Sequence, residues 1–252
     1  LQLAIDNCEA PLSPLLWYYL GYAYYKWGNS KQALVYFIKG AEADPYGCFP
    51  NRLEDIGVLQ MAATINPADA KAPYYLGNLW YDKRQYEDAI ASWELAVQRD
   101  VSFPTAFRNL GIAYFNKRND ANKALSCYET AFALDKTDAR VLMELDQLYK
   151  RLNKAPRERL VFLEEHSAVV EQRDDLYLER AALYNFTGEH ERAYALIMQR
   201  QFHPWEGGEG KVSGQYIYSL VAMAGKQIAA KQYEKAIAYL QQAQVYPTSL
   251  GE

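Results

Sequence analysis

A leucine–glycine pair recurs along this chain, and an alanine follows each pair at a nearly constant distance. The pairs are Leu20-Gly21, Leu76-Gly77 and Leu110-Gly111, and the alanines are Ala33, Ala89 and Ala124. The step from Gly77 to Gly111 is a single period, whereas the step from Gly21 to Gly77 is longer and equals one period plus an insertion. A period of about 34 residues is typical of an array of paired helices, so the sequence indicates a repeat protein.

The repeat over residues 14–47 shows what the pattern encodes. Bulky and small residues share one face of each predicted helix: Trp17, Leu20, Gly21 and Tyr24 on the first, and Ala33, Phe37 and Gly40 on the second. Small residues let two antiparallel helices approach closely, and large residues fill the remaining space. Gly28-Asn29 predicts the turn between the helices, and Pro45 predicts the end of the second helix because proline lacks the N–H that the ladder needs.

These residues resemble the tetratricopeptide repeat, a helix–turn–helix unit that stacks on its neighbours. The resemblance predicts an all-α fold, an α-α superhelix of about six helical hairpins plus one extra single helix, as one solenoid over residues 1–252. The predicted repeats are 14–47, 70–103, 104–138, 139–173, 174–204 and 213–248. The extra helix is predicted at 51–65 and an irregular, glycine-rich loop at 201–212. Residues 1–10 resemble the end of a preceding helix, so we expect the sequence to be a piece of a longer protein.

Composition and charge exclude several classes of function. The chain has 252 residues and a formal net charge of −4 at pH 7. Because the sequence shows no basic stripe, we do not expect a nucleic-acid partner. No apolar run approaches the ~20 residues that cross a bilayer, so we do not expect a membrane partner either.

The histidines and cysteines do not form a recognisable metal or catalytic pattern. No second histidine or cysteine follows His166, His190 or His203 at helical spacing, so the sequence predicts no metal, cofactor or catalytic residue. We expect His166 and His190 to be solvated. Cys8, Cys48 and Cys127 are far apart and odd in number, which favours three reduced thiols, two of them partly buried, over a disulfide framework.

A binding groove is predicted on the concave face, which tetratricopeptide arrays build from one side of each first helix. The candidate residues are Tyr18, Tyr22, Tyr25, Tyr74, Asn78, Tyr81, Arg108, Asn109 and Phe115. Tyrosine combines a rigid apolar face with one hydroxyl and is enriched in binding surfaces. The alternative is that several of these rings pack on the extra helix at 51–65 and are closed to a ligand.

Some tetratricopeptide arrays hold a peptide's C-terminal carboxylate with a lysine, two asparagines and further basic residues. Asn78, Asn109 and Arg140 match three of those positions, but Tyr74 replaces the first lysine and Glu144 replaces the last basic residue. The clamp loses positive charge and gains a carboxylate, so we do not expect a C-terminal carboxylate ligand.

The loop at 203–210 is the second candidate site. His203, Trp205, Glu206 and Glu209 stand there on a glycine-rich backbone, and loops on rigid scaffolds often carry function. One alternative is a long turn whose Trp205 is plugged into the core. Another, an acid–base pair of Glu206 and Glu209, has nothing in the sequence to fix a substrate beside it.

Three longer motifs narrow the resemblance: Cys48 to Glu54, Ala72 to Asn78 with Tyr81 to Arg84, and Phe202 to Gly210. They are similar to a family of large bacterial proteins that carry a β-rich domain of unknown function before a tetratricopeptide array. The resemblance implies that a β-rich domain precedes this region, and it supplies no catalytic residue. It leaves two hypotheses: a non-enzymatic scaffold that binds a protein, a peptide or that domain, and an accessory domain of a glycan-processing enzyme whose aromatic groove presents carbohydrate.

Overall fold

The computed structural model describes residues 13–205 and 208–251, and its regular structure there is entirely helical. It comprises fourteen α-helices and one short 3-10 turn at Thr248–Leu250. The helices are α1 (Pro14–Lys26), α2 (Ser30–Glu42), α3 (Leu53–Ile65), α4 (Lys71–Asp82), α5 (Tyr86–Arg99), α6 (Pro104–Lys117), α7 (Ala121–Leu134), α8 (Ala139–Arg151), α9 (Pro156–Glu165), α10 (Ser167–Val170), α11 (Asp174–Phe186), α12 (His190–Gln199), α13 (Lys211–Ala229) and α14 (Tyr233–Gln242). The predicted all-α class is confirmed.

The chain divides into two compact units, of which the first ends at Asp135 and the second begins at Lys136. The N-terminal unit contains the hairpins α1/α2, α4/α5 and α6/α7, with α3 as a single helix between the first two. The C-terminal unit contains α8/α9 followed by the one-turn helix α10, then α11/α12 and α13/α14. The prediction of six hairpins and one extra helix is therefore confirmed. Among the described residues, no helix combines the length and apolar character needed to span a bilayer.

The glycines of the leucine–glycine pairs mark the closest contacts within the hairpins. A Cβ added at Gly21 would lie 2.7 Å from the Phe37 ring, and one added at Gly111 would lie 2.8 Å from the Tyr128 ring. At Gly77 the added carbon would run into the indole of Trp93. Real Cβ atoms do not approach so closely, so each of these three hairpins places a large ring of its second helix directly on a glycine of its first. This contact explains why the pair recurs in the sequence.

Side-chain caps and left-handed residues form the turns within the hairpins. The Asn29 side chain accepts a hydrogen bond from the Gln32 N–H at 3.1 Å, and Asp120 does the same for Lys123 at 3.0 Å, which satisfies free donors at the helix starts. The predicted Gly28-Asn29 turn has its glycine at φ +87°. Two other turns place a basic residue, Arg84 or Lys231, at positive φ instead.

The single helix α3 completes the core of the N-terminal unit. Its residues Val58, Leu59 and Ala62 belong to one buried cluster together with Tyr18 of α1 and Tyr75 of α4. The Asp55 side chain accepts hydrogen bonds from the backbone N–H groups of residues 51 and 52, both at 3.0 Å, and so caps this helix. The extra helix therefore packs against first-helix residues that a regular repeat would expose.

Candidate functional site

The structure corrects the assignment of Tyr18 to the groove. Tyr18 has no exposed surface, and its hydroxyl donates a hydrogen bond to Asp69 Oδ2 at 2.9 Å. Burial, and then the neighbouring Asp69 carboxylate, raise the pKa of this hydroxyl well above its usual range. Tyr18 is thus a core residue: its ring centroid lies 6.5 Å from that of Phe37 in α2 and 6.1 Å from that of Tyr75 in α4, in the buried cluster that α3 completes.

Tyr19 is a residue that the sequence analysis missed. Its hydroxyl donates to Asp55 Oδ1 of α3 at 2.6 Å, and burial together with this bond raises the pKa of Tyr19 to about 12. Tyr22 and Tyr25, which were predicted for the groove, are half-buried against the cluster that contains α3 residues. The Lys26 ammonium lies 5.2 Å from the centroid of the Tyr22 ring. The extra helix therefore occupies part of the tyrosine face and leaves Tyr22 and Tyr25 partly accessible.

A chain of hydrogen bonds joins α4, α5 and α6 at the middle of the predicted groove. Asn78 Oδ1 accepts a hydrogen bond from Trp93 Nε1 at 3.1 Å and another from Asn109 Nδ2 at 3.0 Å. The same indole N–H lies 3.3 Å from the Tyr74 carbonyl oxygen. Asn78 and Asn109 are both half-buried, so the two carboxamides are held rigidly and still face solvent in part.

Aromatic rings flank these carboxamides. Tyr74 lies with its ring centroid 4.7 Å from that of Phe103, and Tyr81 lies 5.5 Å from Trp93. Tyr81 also contacts Tyr86, whose ring centroid is 5.2 Å away. Rings held by two neighbours keep one orientation, which lowers the entropy lost on binding.

The remaining groove residues, Arg108 and Phe115, belong to α6. Both are half-buried, and both make contacts within the protein. Asn109 also belongs to α6. Tyr74, Asn78 and Tyr81 belong to α4, and Tyr22 and Tyr25 belong to α1. We call this set of eight residues the tyrosine groove.

The candidate loop is tied to α11 through Asp174, the first residue of that helix. Asp174 Oδ2 accepts a hydrogen bond from the His203 backbone N–H at 2.9 Å, and His203 Nδ1 lies 3.1 Å from the same oxygen. Arg200 Nε donates to Oδ1 of the same carboxylate. Burial alone would raise the pKa of Asp174, but the bonds from His203 and Arg200 outweigh it and lower that pKa.

The loop is also tied to the 3-10 turn at Thr248–Leu250. The Phe202 N–H donates to the Ser249 carbonyl at 2.9 Å, and the Phe202 side chain is buried. Gly251 adopts φ +73°, and a Cβ there would lie 2.6 Å from the Phe202 carbonyl oxygen. Neither Asp174 nor the 248–251 segment was singled out from the sequence, because both are more than half a repeat away from their loop partners along the chain.

A cavity of about 490 Å³ lies between the loop and this turn. Its lining residues are His203, Pro204, Trp205, Gly208, Glu209, Gly210, Val212, Leu250 and Gly251. Trp205 is half-buried and packs its ring on Gly208, so the indole forms a wall of the cavity. His203 and Glu209 are exposed at its edge, and Glu206 lies outside the described residues.

The structure also corrects the prediction for two histidines. His166 is half-buried, with Nδ1 2.9 Å from the Phe162 carbonyl oxygen, and His190 is half-buried, with Nδ1 3.1 Å from Asn185 Oδ1. Neither is freely solvated, because Nδ1 of each ring is held in a contact within the protein. Cys48 is buried and Cys127 half-buried, both as free thiols, whereas Cys8 lies outside the described residues. Within the described ranges, no group of three or more histidine, cysteine or carboxylate side chains is placed to hold a metal ion.

Known proteins share this architecture. No family model matches the chain. A stretch of 85 residues is 34% identical to tetratricopeptide repeat protein 37 of Xenopus laevis, and it covers 32% of this chain and 5% of that protein's length. The solved structure of YrrB, a TPR protein described as having an unusual peptide-binding site, has a TM-score of 0.52 at 19% identity and covers 73% of this chain and 90% of its own. The fold is a tetratricopeptide-repeat array.

Another relative in fold is the structure of Naa15/Naa10 bound to HypK-THB. The TM-score is 0.54 at 13% identity, and the match covers 91% of this chain and 31% of that chain. At these identities the likeness concerns the fold of the array alone. The resemblance to bacterial proteins with a β-rich domain stays a prediction.

The positions that match the carboxylate clamp make contacts within the protein. Asn78 and Asn109 are bonded to each other, and Arg140 Nε donates to Glu144 Oε1 at 3.2 Å. Tyr74 packs on Phe103 where the clamp has its first lysine. The expectation that a C-terminal carboxylate is not the ligand stays a prediction.

Proposed function

We propose that this array is a non-enzymatic scaffold that binds a protein or peptide segment through the tyrosine groove and the 203–210 loop. The fold supports an interaction scaffold in general, and its relative YrrB is described as having a peptide-binding site. The observation that carries the proposal is the pair of carboxamides at Asn78 and Asn109, held between aromatic rings.

The hydrogen bonds of these carboxamides leave one donor and one acceptor for a ligand. Asn78 Oδ1 accepts two hydrogen bonds, from Trp93 and Asn109. The Nδ2 hydrogens of Asn78 therefore point away from these two partners. Asn109 uses Nδ2 in the same contact, which leaves its Oδ1 as an acceptor. Among the described residues, neither the Asn78 Nδ2 nor the Asn109 Oδ1 has a further partner. One donor and one acceptor, side by side, match the C=O and N–H of an extended peptide.

The rings around the carboxamides supply apolar contact area. Tyr22, Tyr25, Tyr74 and Tyr81 are each half-buried, so each combines a fixed orientation with some accessible surface. Tyr and Trp anchors with a polar rim characterise protein-binding surfaces. A peptide lying on this face would therefore bury apolar side chains against the rings and bond its backbone to the asparagines.

The test is a selection of short peptides from an unbiased displayed library, followed by calorimetry. We expect Tyr74→Ala and Asn78→Ala to weaken the selected peptide at least tenfold, which corresponds to ~1.4 kcal/mol. Asn122→Ala, at an exposed asparagine of α7, is the matched control and should leave the affinity unchanged.

Titration with oligosaccharides tests the competing hypothesis. If oligosaccharides bind and Tyr22→Ala and Tyr74→Ala abolish that binding, the groove presents carbohydrate and the scaffold proposal is wrong. The scaffold proposal would also be contradicted if the groove substitutions left the affinity of the selected peptides unchanged.

A further inference from the structure

We propose that the cavity beside the 203–210 loop holds one large apolar side chain of a partner protein, next to a basic residue of that partner. This inference rests on the proposed function and names the chemistry that the loop would recognise. It is carried by three observations on the C-terminal unit: the lining of the cavity, the anchoring of its walls, and the charge at its edge.

The lining is apolar where a ligand would be enclosed. Trp205, Val212 and Leu250 supply side-chain walls, and Gly208 and Gly251 line the cavity without adding side-chain bulk. Val212 and Leu250 are buried, so these walls are fixed by the interior of the unit. A cavity of about 490 Å³ lies in the range of ~300–1,000 Å³ that is common for binding sites, and it has room for an aromatic side chain.

The walls are held in place before any ligand arrives. Asp174 bonds both the His203 backbone and Arg200, which fixes the start of the loop. The bond from Phe202 to Ser249 fixes the loop against the turn that contributes Leu250. A site whose walls are already ordered loses little conformational entropy on binding, which favours a single anchoring side chain.

The charge at the edge of the cavity favours a positively charged residue on the partner. Among the described lining residues, Glu209 is the carboxylate, and no lysine or arginine is present. Glu209 is exposed, so a cation beside the inserted side chain could reach it without desolvating a buried charge. The occupant is therefore a phenylalanine-like or leucine-like side chain with a flanking lysine or arginine.

Three blocked tripeptides test this inference on the array labelled with 5-fluorotryptophan. The peptides are acetyl-Lys-Phe-Lys-amide, acetyl-Glu-Phe-Glu-amide and acetyl-Lys-Ala-Lys-amide. We expect the first to shift the Trp205 fluorine resonance saturably and to leave that of the exposed Trp27 unchanged. The other two should bind at least tenfold more weakly. Equal binding of all three peptides, or a shift confined to other tryptophans, overturns the inference.

Charge reversal at the edge gives a test that does not depend on the folding of a core variant. Glu209→Lys should reverse the preference, so that the Glu-Phe-Glu peptide binds more tightly than the Lys-Phe-Lys peptide. Trp205→Ala should abolish binding in saturation-transfer NMR, with Trp27→Ala as its matched control. An unchanged preference in Glu209→Lys overturns the inference, whether or not Trp205→Ala folds.

The outcome separates this inference from the proposed function. If none of the tripeptides binds in the cavity while Asn78→Ala weakens the binding of a selected peptide, the cavity assignment is wrong and the groove proposal stands. If the tripeptides bind in the cavity while groove substitutions have no effect, the groove proposal is wrong.

Discussion

Alanine and glycine residues set the distance between paired helices in the N-terminal unit. Ala33, Ala89 and Ala124, each on the second helix of its hairpin, have no exposed surface. In the same three hairpins, a ring of the second helix lies on the glycine of the leucine–glycine pair in the first helix. At such positions an added carbon would clash with its neighbours, because protein interiors are packed as densely as organic crystals.

Ala89→Leu should therefore lower the free energy of unfolding by ~1–3 kcal/mol through overpacking of α4 against α5. Urea denaturation followed by circular dichroism measures the change. Ala91→Leu, at the exposed face of the same helix, is the matched control and should stay within ~0.5 kcal/mol of the parent. An unchanged urea midpoint for Ala89→Leu would contradict this, because it would mean that α4 and α5 can move apart with no loss of stability.

At Arg84 the backbone is strained, whereas the side chain is exposed and makes no tight contact with the core. It adopts φ +61° in the turn between α4 and α5, a conformation that favours glycine. We expect Arg84→Gly to raise the free energy of unfolding by about 0.5–1 kcal/mol, since the relief of strain exceeds the added entropy of the unfolded chain. Gln85→Gly, one residue later at φ −89°, should destabilise instead. A loss of stability in Arg84→Gly would contradict the strain argument.

At the scale of whole helices, one contact recurs between successive hairpins. Tyr114 of α6 donates its hydroxyl to Glu94 of α5, and Arg118 lies over the tyrosine ring, 5.6 Å from its centroid. In the C-terminal unit, Tyr184 of α11 donates to Glu164 of α9, and a second arginine, Arg192, lies 4.4 Å from that ring's centroid. The tyrosine follows its glutamate at the same distance along the chain in both units, so a second helix is bonded to the first helix of the next hairpin.

A buried ion pair joins the helices of the hairpin α8/α9 and reaches α11. Arg159 donates to both oxygens of Asp146, at 3.0 and 2.6 Å, and to Glu179 Oε1 at 2.7 Å. The side chains of Arg159 and Asp146 are 4% and 0% exposed, so water cannot replace a lost partner. The pair holds three helices in one arrangement as long as both charges are present.

Asp146→Ala should cost ~3–5 kcal/mol of unfolding free energy, because it leaves a buried guanidinium without its main partner. Asp88→Ala on the exposed surface of α5 is the control and should be nearly neutral. The double variant Asp146→Leu/Arg159→Met should recover most of the loss, since apolar residues of similar volume replace the pair. Thermal and urea unfolding measure all three, and a double variant as unstable as the single one would argue against this explanation.

At the scale of the whole molecule, the chain carries 31 aspartate and glutamate residues, and their carboxyl groups do not share one pKa. Burial would raise the pKa of Glu179, but hydrogen bonds from Lys150 and Arg159 outweigh it and lower that pKa. The pKa of Asp174 is lowered in the same way by His203 and Arg200. A carboxylate with a lowered folded-state pKa contributes stability above its unfolded pKa, of about 4, and loses it as the pH falls through the folded value.

The urea midpoint should consequently fall as the pH decreases from 5 to 3. Glu179→Gln should be less stable than the parent at pH 7 and should show a shallower decline over this range, because the titrating group is absent. Glu158→Gln, at an exposed position of α9, is the control and should follow the parent at every pH. Parallel curves for Glu179→Gln and the parent would show that this carboxylate does not drive the acid loss.

The sequence by itself determined the helical class, the hairpins and the single helix between the first two of them. These features depend on local spacing: a glycine facing a ring in the same hairpin, a cap or a turn residue within a few positions, and a proline at a helix start. The contacts of Gly21 with Phe37 and of Gly111 with Tyr128 each lie within one repeat. A pattern that recurs once per hairpin therefore carries enough information to predict them.

Only the tertiary structure decided which of the predicted binding residues are accessible. Tyr18 and Tyr22 lie four residues apart on α1, yet the first is buried between aromatic rings of α2 and α4, whereas the second is only half-buried at the edge of that cluster. The cavity beside Trp205 depends likewise on Asp174 and Ser249, which are distant in sequence from the loop. Such contacts arise from where separate helices come to lie, and no periodicity within a repeat records that placement.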